Sequence, residues 1–190
     1  FCLIILINGT NFMDGLNGLG GGGMTLIFSY IAIVRYPESF FLVGALIGFL
    51  ILNWSPSKVF MGDTGSTFIG AIYAGIILNS NNINDGIELV LIATPLLSDA
   101  SLCVIRRFIN KQNIFSPHKQ HLYQRLNQAG WSHSKVSMLY ILSTFLLIII
   151  AALFSVKILF ISSLSIVLIG AYLDKKVATK FLNEKYSKTN

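Results

Sequence analysis

Long apolar runs separated by short polar segments dominate the chain, and this pattern predicts membrane-spanning helices. The runs 136–156 and 158–173 approach the roughly 20 apolar residues that a helix needs to cross about 30 Å of hydrocarbon. None of the runs shows the apolar and polar alternation that is typical of barrel strands. Because only helices and closed barrels satisfy the backbone in lipid, we predict an all-α fold, a polytopic transmembrane helix bundle.

The predicted spans are the end of a helix that stops near Ile7, followed by residues 20–34, 40–52, 67–78, 87–105, 136–156 and 158–173. If successive spans alternate in direction, one side of the membrane holds the polar segments 8–17, 53–66, 106–135 and 174–190. The apolar start FCLIILI has neither a start Met nor the basic region of a signal peptide, so we interpret the chain as N-terminally truncated.

Composition and charge support a membrane location. With 54% hydrophobic and 12% charged residues, the chain departs from the roughly 25% charged share of soluble domains. Of its fourteen Lys and Arg residues, only Arg35 and Lys157 fall on the side with the short links, which leaves twelve opposite. By the positive-inside rule, the side with the long polar segments faces the cytoplasm. The net charge of +6 therefore reflects topology, and we expect no nucleic-acid partner.

A polar stripe followed by glycines forms the first group of candidate functional residues. In the segment NGTNFMDGLNGLGGGG, Asn8, Asn11 and Asp14 recur at every third position, so a helix would place them on one face. The glycines beyond them favour a flexible turn. An ordinary glycine-rich turn between two spans is the alternative interpretation, since Asn and Asp are common turn residues.

A second group lies in the segment NWSPSKVFMGDTGST, where Asp63 stands between Gly62 and Gly65 just before an apolar run. A carboxylate on a tight glycine turn suits a hard cation such as Mg²⁺, which prefers oxygen ligands and often bridges carboxylate and phosphate. We expect Thr64 or Ser66 to cap the next helix, whose N-terminus favours an anion. The alternative is that Asp63 is only a capping or turn residue.

The third group is a basic and aromatic segment, SPHKQHLYQRLNQAGWSHSK. Its cationic side chains suit phosphate oxygens, and its aromatic rings suit stacking on a planar base. A generic basic loop at the membrane surface is the alternative. A zinc site is disfavoured because no cysteine lies nearby in the sequence and only His118 and His121 are close together.

Asp99 stands in the otherwise apolar run 87–105, about two helical turns before Arg106. An ionisable group at such a depth is either functional or paired. Arg106 or Arg107 can be its partner within the same helix only if the spacing bends favourably, so Asp99 is a secondary candidate.

These segments resemble the polyprenyl-phosphate N-acetylhexosamine-1-phosphate transferases, glycosyltransferase family 4, which include the phospho-MurNAc-pentapeptide translocases. Residues 60–66 match the family's F-M-G-D-x-G-S segment. The family's N-x-x-N-x-x-D-G-x-D-G-L segment matches at Asn8, Asn11, Asp14, Gly15, Gly18 and Leu19. Asn17 replaces the second Asp of that segment, so any role that needs a charge there is lost or moved.

The family's H-x-H-H motif is only partly present. His121 stands at its first histidine, whereas Tyr123 and Gln124 replace the other two. This departure resembles the branch that makes lipid carriers for O-antigen or capsular polysaccharide. It leaves the sugar, the pathway and homodimer formation open. The family also has further spans and a pair of adjacent aspartates upstream, so the resemblance implies a C-terminal portion of an enzyme.

The resemblance implies a multi-pass enzyme of the bacterial inner membrane whose active site faces the cytoplasm. The implied reaction transfers a sugar-1-phosphate from a UDP-N-acetylhexosamine to undecaprenyl phosphate and releases UMP. We expect residues 1–190 to form a single transmembrane catalytic domain, with a cytoplasmic substrate loop at 106–135 and a cytoplasmic tail at 174–190.

The expected roles of the site residues follow from this reaction. Asp14 and Asp63 are the predicted catalytic carboxylates, and Asp63 and Asn11 are the predicted ligands of Mg²⁺, with Mn²⁺ as the alternative metal. The predicted substrate-binding residues are Asn8, Asn11, His118, His121 and Arg125. A transporter or channel, or a catalytically inactive fragment, is the competing interpretation. Transporters place their binding groups near the bilayer midplane on broken helices, whereas Asp14 and Asp63 stand at span ends, which favours the enzyme.

Overall fold

The computed structural model describes residues 2–114 and 116–181, and over these ranges the chain forms nine α-helices and no strand. The helices are α1 (Cys2–Phe12), α2 (Leu19–Val34), α3 (Ser39–Asn53), α4 (Gly62–Leu78), α5 (Ile83–Ile92), α6 (Thr94–Ile109), α7 (Leu122–Gln128), α8 (His133–Leu153) and α9 (Val156–Lys176). The predicted all-α class is confirmed.

Two helices of the described residues, α8 and α9, are each long and apolar enough to cross a membrane. The pair α5 and α6 also qualifies if it is one broken span, and α1, α2 and α3 are shorter apolar helices. Many large apolar side chains point outward, among them Phe41 (87% exposed) and Ile51 (75%). A soluble protein would bury such side chains, so this surface fits contact with lipid.

The prediction of one continuous span over residues 87–105 is wrong. The axis bends by 79° between α5 and α6, next to Pro95 in the first turn of α6. Proline has no backbone N–H, so the i→i−4 bond to the Leu91 carbonyl cannot form. The Ser163 hydroxyl on α9 donates to that carbonyl at 3.3 Å, and the Tyr73 hydroxyl on α4 donates to the Leu89 carbonyl at 2.6 Å. Neighbouring helices thus satisfy carbonyls at the break.

The ends of several helices meet at one end of the bundle, which we call the site end. It contains the C-termini of α1, α6 and α9 and the N-termini of α4 and α8, joined by contacts described below. The opposite end contains Arg35, which forms ion pairs with Asp85 (3.1 Å) and Glu88 (3.2 Å). The Tyr30 hydroxyl donates to the same Glu88 carboxylate at 2.7 Å. Arg35, one of the two basic residues predicted on that side, is therefore neutralised.

Two of the predicted polar segments contain more regular structure than expected. Segment 106–135 begins inside α6, includes all of α7 and ends in α8. Asp174 does not open a solvated tail, because α9 continues through Lys176. Residues 182–190 of the predicted tail lie outside the described residues.

The crossing of α1 and α4 depends on Gly70. A Cβ atom there would lie 3.1 Å from the Ile7 Cα, the Ile7 carbonyl oxygen and the Thr10 Cβ. Gly75 on the same helix has nothing within 4 Å of its Cβ position.

We predict that Gly70→Ala destabilises the protein by about 1–3 kcal/mol, the usual cost of overpacking. Gly75→Ala should be neutral or stabilising, since alanine favours helix by about 1 kcal/mol relative to glycine. Thermal unfolding of both variants in the same detergent checks the difference. Equal loss of stability in the two would show that the α1–α4 crossing is looser than described.

Candidate active site

The two sequence motifs meet where α1 ends and α4 begins. The Ser66 hydroxyl on α4 donates to the Asn11 side-chain oxygen on α1 at 2.5 Å. Helix α4 begins at Gly62, one residue before Asp63, so the prediction that Thr64 or Ser66 caps this helix is wrong. Ser66 is buried inside the helix and ties it to α1 instead.

Asp14 lies in the turn after α1 and faces the start of α4. The Gly62 backbone N–H donates to its carboxylate, and Asp63 is close enough to repel it. Burial raises the pKa of Asp14 to about 6, an effect that Gly62 opposes and Asp63 reinforces. Gly62 has a φ of 66°, a conformation that glycine adopts readily, and the Asp63 side chain is exposed.

The oxygen atoms at this junction are the donors that Mg²⁺ prefers. Asp63 offers an exposed carboxylate, Asp14 offers a second one, and Asn11 offers an amide oxygen that already accepts one hydrogen bond. Hard oxygen donors from two helix ends therefore fit a magnesium or manganese ion. Asn8 lies exposed one turn earlier on α1.

Asn53 holds the loop between α3 and α4 against the glycine-rich turn. Its side-chain oxygen accepts from the Gly18 N–H at 2.8 Å, and its side-chain amide donates to the Val59 carbonyl at 2.9 Å. Gly18 has a φ of 77°, and a Cβ atom there would lie 2.5 Å from the Trp54 ring. The glycine-rich turn after α1 and the loop before α4 are thus joined through Asn53 as well as through the bond between Ser66 and Asn11.

Asp99 organises the basic segment. Its carboxylate accepts from the Leu122 N–H (2.7 Å), the Tyr123 N–H (3.1 Å) and the Tyr140 hydroxyl (2.7 Å). It is buried and joins α6, the start of α7 and α8. The expected pairing with Arg106 or Arg107 is wrong, because the side chain points toward α7. Sequence position alone marked Asp99 as unusual but gave no sign of these partners.

His121 immediately precedes α7 and is almost fully buried, with 3% of its surface exposed. Its ring stacks on Tyr123 (centroids 5.5 Å apart) and lies 5.6 Å from Phe12 and 5.0 Å from His118. His118 is partly buried. Burial, with repulsion from His121 and Arg107, lowers the pKa of His118 to about 4, so its imidazole is neutral at physiological pH.

Cys103 on α6 also lies beside the two histidines. One candidate ligand atom from each of Cys103, His118 and His121 lies within 4.8 Å of the others. The sequence argument against a zinc site assumed that no cysteine lies near the histidines. This assumption is wrong, because the fold places Cys103 beside them. Cys103 and His118 are fifteen positions apart along the chain, and the segment after α6 brings them together.

Arg125 on α7 is buried and fully engaged by protein groups. It donates to the carbonyls of Gln120 (3.0 Å) and Thr179 (2.9 Å) and forms an ion pair with Asp174. Asp174 also pairs with Arg106 at 2.6 Å. The structure therefore gives Arg125 the geometry of a clamp between α7 and the end of α9.

Tyr123 links the basic segment to the junction of α1 and α4. Its hydroxyl donates to the Phe12 carbonyl at 2.9 Å, and a Cβ atom at Gly15 would lie only 2.1 Å from the hydroxyl oxygen. On the other side of the turn, the Ser137 hydroxyl on α8 donates to the Asn17 carbonyl at 2.8 Å. All three polar groups of the sequence thus meet at the site end.

The structure divides the predicted site residues into two neighbouring sets. Asn11, Asp14 and Asp63 form an acidic set at the junction of α1 and α4. The basic set surrounds the start of α7 and consists of His118, His121 and Arg125. Tyr123 links the two sets through the Phe12 carbonyl. The other supporting residues, which sequence reasoning did not assign to the site, are Asn53 and Ser66 around the acidic set and Tyr140 on Asp99.

Comparison with known proteins agrees with this arrangement. The family model of glycosyl transferase family 4 matches residues 1–81. The chain is 31% identical over 178 residues to a "Probable undecaprenyl-phosphate N-acetylglucosaminyl 1-phosphate transferase" of Bacillus subtilis (strain 168), covering 86% of this chain and 47% of that protein.

Two further relatives differ in the sugar that their names specify. An "Undecaprenyl-phosphate alpha-N-acetylglucosaminyl 1-phosphate transferase" of Yersinia pestis is 32% identical over 79% of this chain and 46% of its own length. A "Phospho-N-acetylmuramoyl-pentapeptide-transferase" of Prochlorococcus marinus (strain NATL2A) is 35% identical over 83% of this chain and 46% of its own. The chain spans about half the length of the curated relatives it matches. The part of the chain that contains the two motifs meeting at the site end is thus similar to glycosyl transferase family 4, and the chain as a whole is similar to these relatives.

Proposed function

We propose that the protein transfers an N-acetylhexosamine-1-phosphate from a UDP-sugar to undecaprenyl or another polyprenyl phosphate and releases UMP. The observation that carries this proposal is the junction of α1 and α4, where Asn11 contacts Ser66 and Asp14 contacts Gly62 beside the basic segment. The names of the relatives support the lipid acceptor and the sugar phosphate. The first step of a lipid-linked envelope glycan is the corresponding biological role.

Both substrates are anions, and this fact sets what the site must do. An oxygen of the lipid phosphate attacks the sugar-bound phosphorus; a new P–O bond forms, and the bond to the bridging oxygen breaks as UMP leaves with the electron pair. Catalysis of such a transfer is mainly positioning and neutralisation of charge. The attacking phosphate is already largely ionised near neutral pH, so it needs no strong base.

Asp63 and Asn11 are the proposed ligands of Mg²⁺, with Mn²⁺ as the alternative. A bound ion would supply positive charge to the phosphate oxygens. The exposed Asp63 carboxylate stands at the start of α4, and the Ser66 hydrogen bond fixes Asn11 beside that helix. Asp14, held by the Gly62 N–H, is the proposed orienting carboxylate.

The basic set is the proposed nucleotide side of the site. His118 is partly exposed and is proposed to contact the diphosphate directly. Asn8 is exposed and is proposed to contact the sugar. His121 and Arg125 are buried, so we propose that they act on the substrate mainly by fixing the segment 118–125. The bonds of Arg125 to Gln120 and Thr179 support that role.

The charge distribution supports our proposal that the site end faces the cytoplasm, at the bacterial inner membrane. The site end contains the basic segments, whereas Arg35 at the opposite end is paired with two carboxylates. A polyprenyl phosphate in the bilayer and a soluble UDP-N-acetylhexosamine would meet there. Homodimer formation is a further expectation for a family member.

The transporter interpretation predicts polar groups at the broken helix. At the break, Leu89, Ile92 and Ala93 are at most 1% exposed, and the nearby Tyr73 and Ser163 hydroxyls already donate to backbone carbonyls. The exposed Asp63 carboxylate lies instead at a helix end, which favours an enzyme at the membrane surface.

The direct test is release of UMP by the full-length protein in lipid, with undecaprenyl phosphate, Mg²⁺ and a panel of UDP-N-acetylhexosamines. We expect UMP release that requires both the lipid and one of the sugars, and that stops when EDTA removes the metal. Uptake of a solute into vesicles without any UMP would instead favour the transporter.

We predict that Asp63→Asn lowers kcat by about a hundredfold or more, because misplacing a reacting group by about 1 Å has such an effect. Asp85→Asn is the matched control, since Asp85 pairs with Arg35 at the opposite end of the bundle. Its turnover should stay within about twofold to threefold of the parent protein. Comparable losses in the two variants would remove the role assigned to Asp63.

Membrane orientation is testable with single cysteines in a protein whose Cys2 and Cys103 are replaced by serine. The exposed positions Lys58 and Lys119 at the site end should react as cysteines only with reagent on the cytoplasmic side. Asn81, exposed at the opposite end, should react only from outside. Reaction of Lys119→Cys from outside would contradict the proposed orientation.

A further inference from the structure

A thiol and two imidazoles converge between the end of α6 and the start of α7. Cys103 and His121 are each 3% exposed, and His118 is partly buried above them. One ligand atom from each residue lies within 4.8 Å of the other two. Among the described residues, this is the one cluster of three or more Cys, His, Asp or Glu side chains with that geometry.

The ligand types select the metal. Sulfur and imidazole nitrogen are borderline or soft donors that suit zinc, whereas Mg²⁺ prefers oxygen. Donor atoms around tetrahedral zinc lie about 3.5 Å apart, given zinc distances of about 2.0–2.3 Å. Small side-chain rotations therefore close the cluster around an ion. Three protein ligands leave one position for water or another ligand.

Asp99 supplies the partner that metal-bound histidines usually have. Its Oδ1 lies 3.7 Å from His121 Nδ1, which is buried and has no hydrogen-bond partner among the described groups. A histidine that binds metal through one nitrogen commonly directs the other at a carboxylate, which fixes the ring and its tautomer. Asp99 is held in place by Leu122, Tyr123 and Tyr140, so it is a rigid partner.

The surrounding charges permit a divalent ion. A bound metal displaces the thiol proton, so the Cys103 thiolate and Asp99 together balance a charge of two. Arg107 on α6 is the cation that acts on both Cys103 and His118. Its guanidinium is occupied by Gln120 (2.9 Å), the Asn113 carbonyl and Ser116. Arg125 is likewise engaged by Gln120, Thr179 and Asp174.

We propose that Cys103, His118 and His121 bind a zinc ion that fastens the segment 118–121 to α6. The site is distinct from the proposed Mg²⁺ site, because it uses different residues and a different donor class. The site rests on the proposed function in two respects. The metal would place a positive charge beside the proposed nucleotide side, and His118 would bind it through one ring nitrogen, which leaves the other nitrogen for a diphosphate. The binding test does not depend on turnover.

The experiment uses the full-length protein, purified without a polyhistidine tag, stripped of metal with a chelator and titrated with Co²⁺ as a coloured probe for zinc. We expect one equivalent to produce the visible bands of tetrahedral cobalt and a thiolate-to-cobalt charge-transfer band, both removed by added Zn²⁺. Cys103→Ser should abolish the charge-transfer band. Cys2→Ser is the matched control and should retain it.

Two more variants separate metal binding from folding. His118→Ala changes a partly exposed side chain and should weaken Co²⁺ binding at least tenfold while the thermal unfolding of the metal-free protein stays unchanged. Asp99→Asn removes the carboxylate beside His121 and also weakens the bonds to Leu122, Tyr123 and Tyr140. It should lower the Co²⁺ affinity by about 10–100-fold, and the thermal unfolding of its metal-free form is measured beside that of His118→Ala. An unchanged affinity in His118→Ala, or a charge-transfer band that survives in Cys103→Ser, would overturn the zinc site.

The outcome is independent of the transferase assay. Cobalt binding with the expected variant pattern but without UMP release would support the zinc site and contradict the proposed function. UMP release without cobalt binding would support the proposed function and contradict the zinc site.

Discussion

The buried carboxylate of Asp99 is the constraint on which the site end depends. It accepts hydrogen bonds from two backbone N–H groups at the start of α7 and from the Tyr140 hydroxyl on α8. Each buried donor left without a partner costs about 1–3 kcal/mol of stability. Loss of this carboxylate would leave several donors without a partner at once. Because it fixes the first residues of α7, it also fixes His121 and Tyr123. Tyr123 in turn holds the turn that carries Asp14.

This arrangement explains how carboxylates and cations share a small region without pairing directly across it. Asp174 neutralises Arg125 in the buried part of the basic set, and the Asp99 carboxylate lies 3.7 Å from His121 Nδ1. The carboxylates of Asp14 and Asp63 remain on the other side of the Phe12 turn, facing the start of α4. Burial raises the pKa of Asp14, and repulsion from Asp63 adds a smaller increase. Two neighbouring carboxylates repel each other, and a bound cation between them would reduce this repulsion. This is the usual condition for metal binding between carboxylates.

Sequence patterns were sufficient for the all-α class and for placing the three polar segments on one side, because apolar runs and charge distribution can be read locally along the chain. They did not predict the break between α5 and α6 or the short helix α7. The helix break at Pro95 was visible in principle, since proline removes an N–H, but the apolar run around it concealed the bend. The partners of Asp99 and the position of Cys103 beside His118 could not be read from the sequence. They depend on how α6 and the following turn pack, and contacts between residues distant in sequence leave no periodic signal. The same holds for Ser66, whose position suggested a cap but whose hydroxyl joins α4 to Asn11.

The contact between Tyr123 and Gly15 has a consequence for how this sequence can change over evolution. A side chain at position 15 would occupy the space of the Tyr123 hydroxyl, so neither position tolerates a change that the other does not match. Where the related motif has a histidine in place of Tyr123, the ring is shorter and the space beside residue 15 is larger. The two positions should therefore covary among relatives, with a bulkier residue at 15 found only in lineages that carry a smaller one at 123.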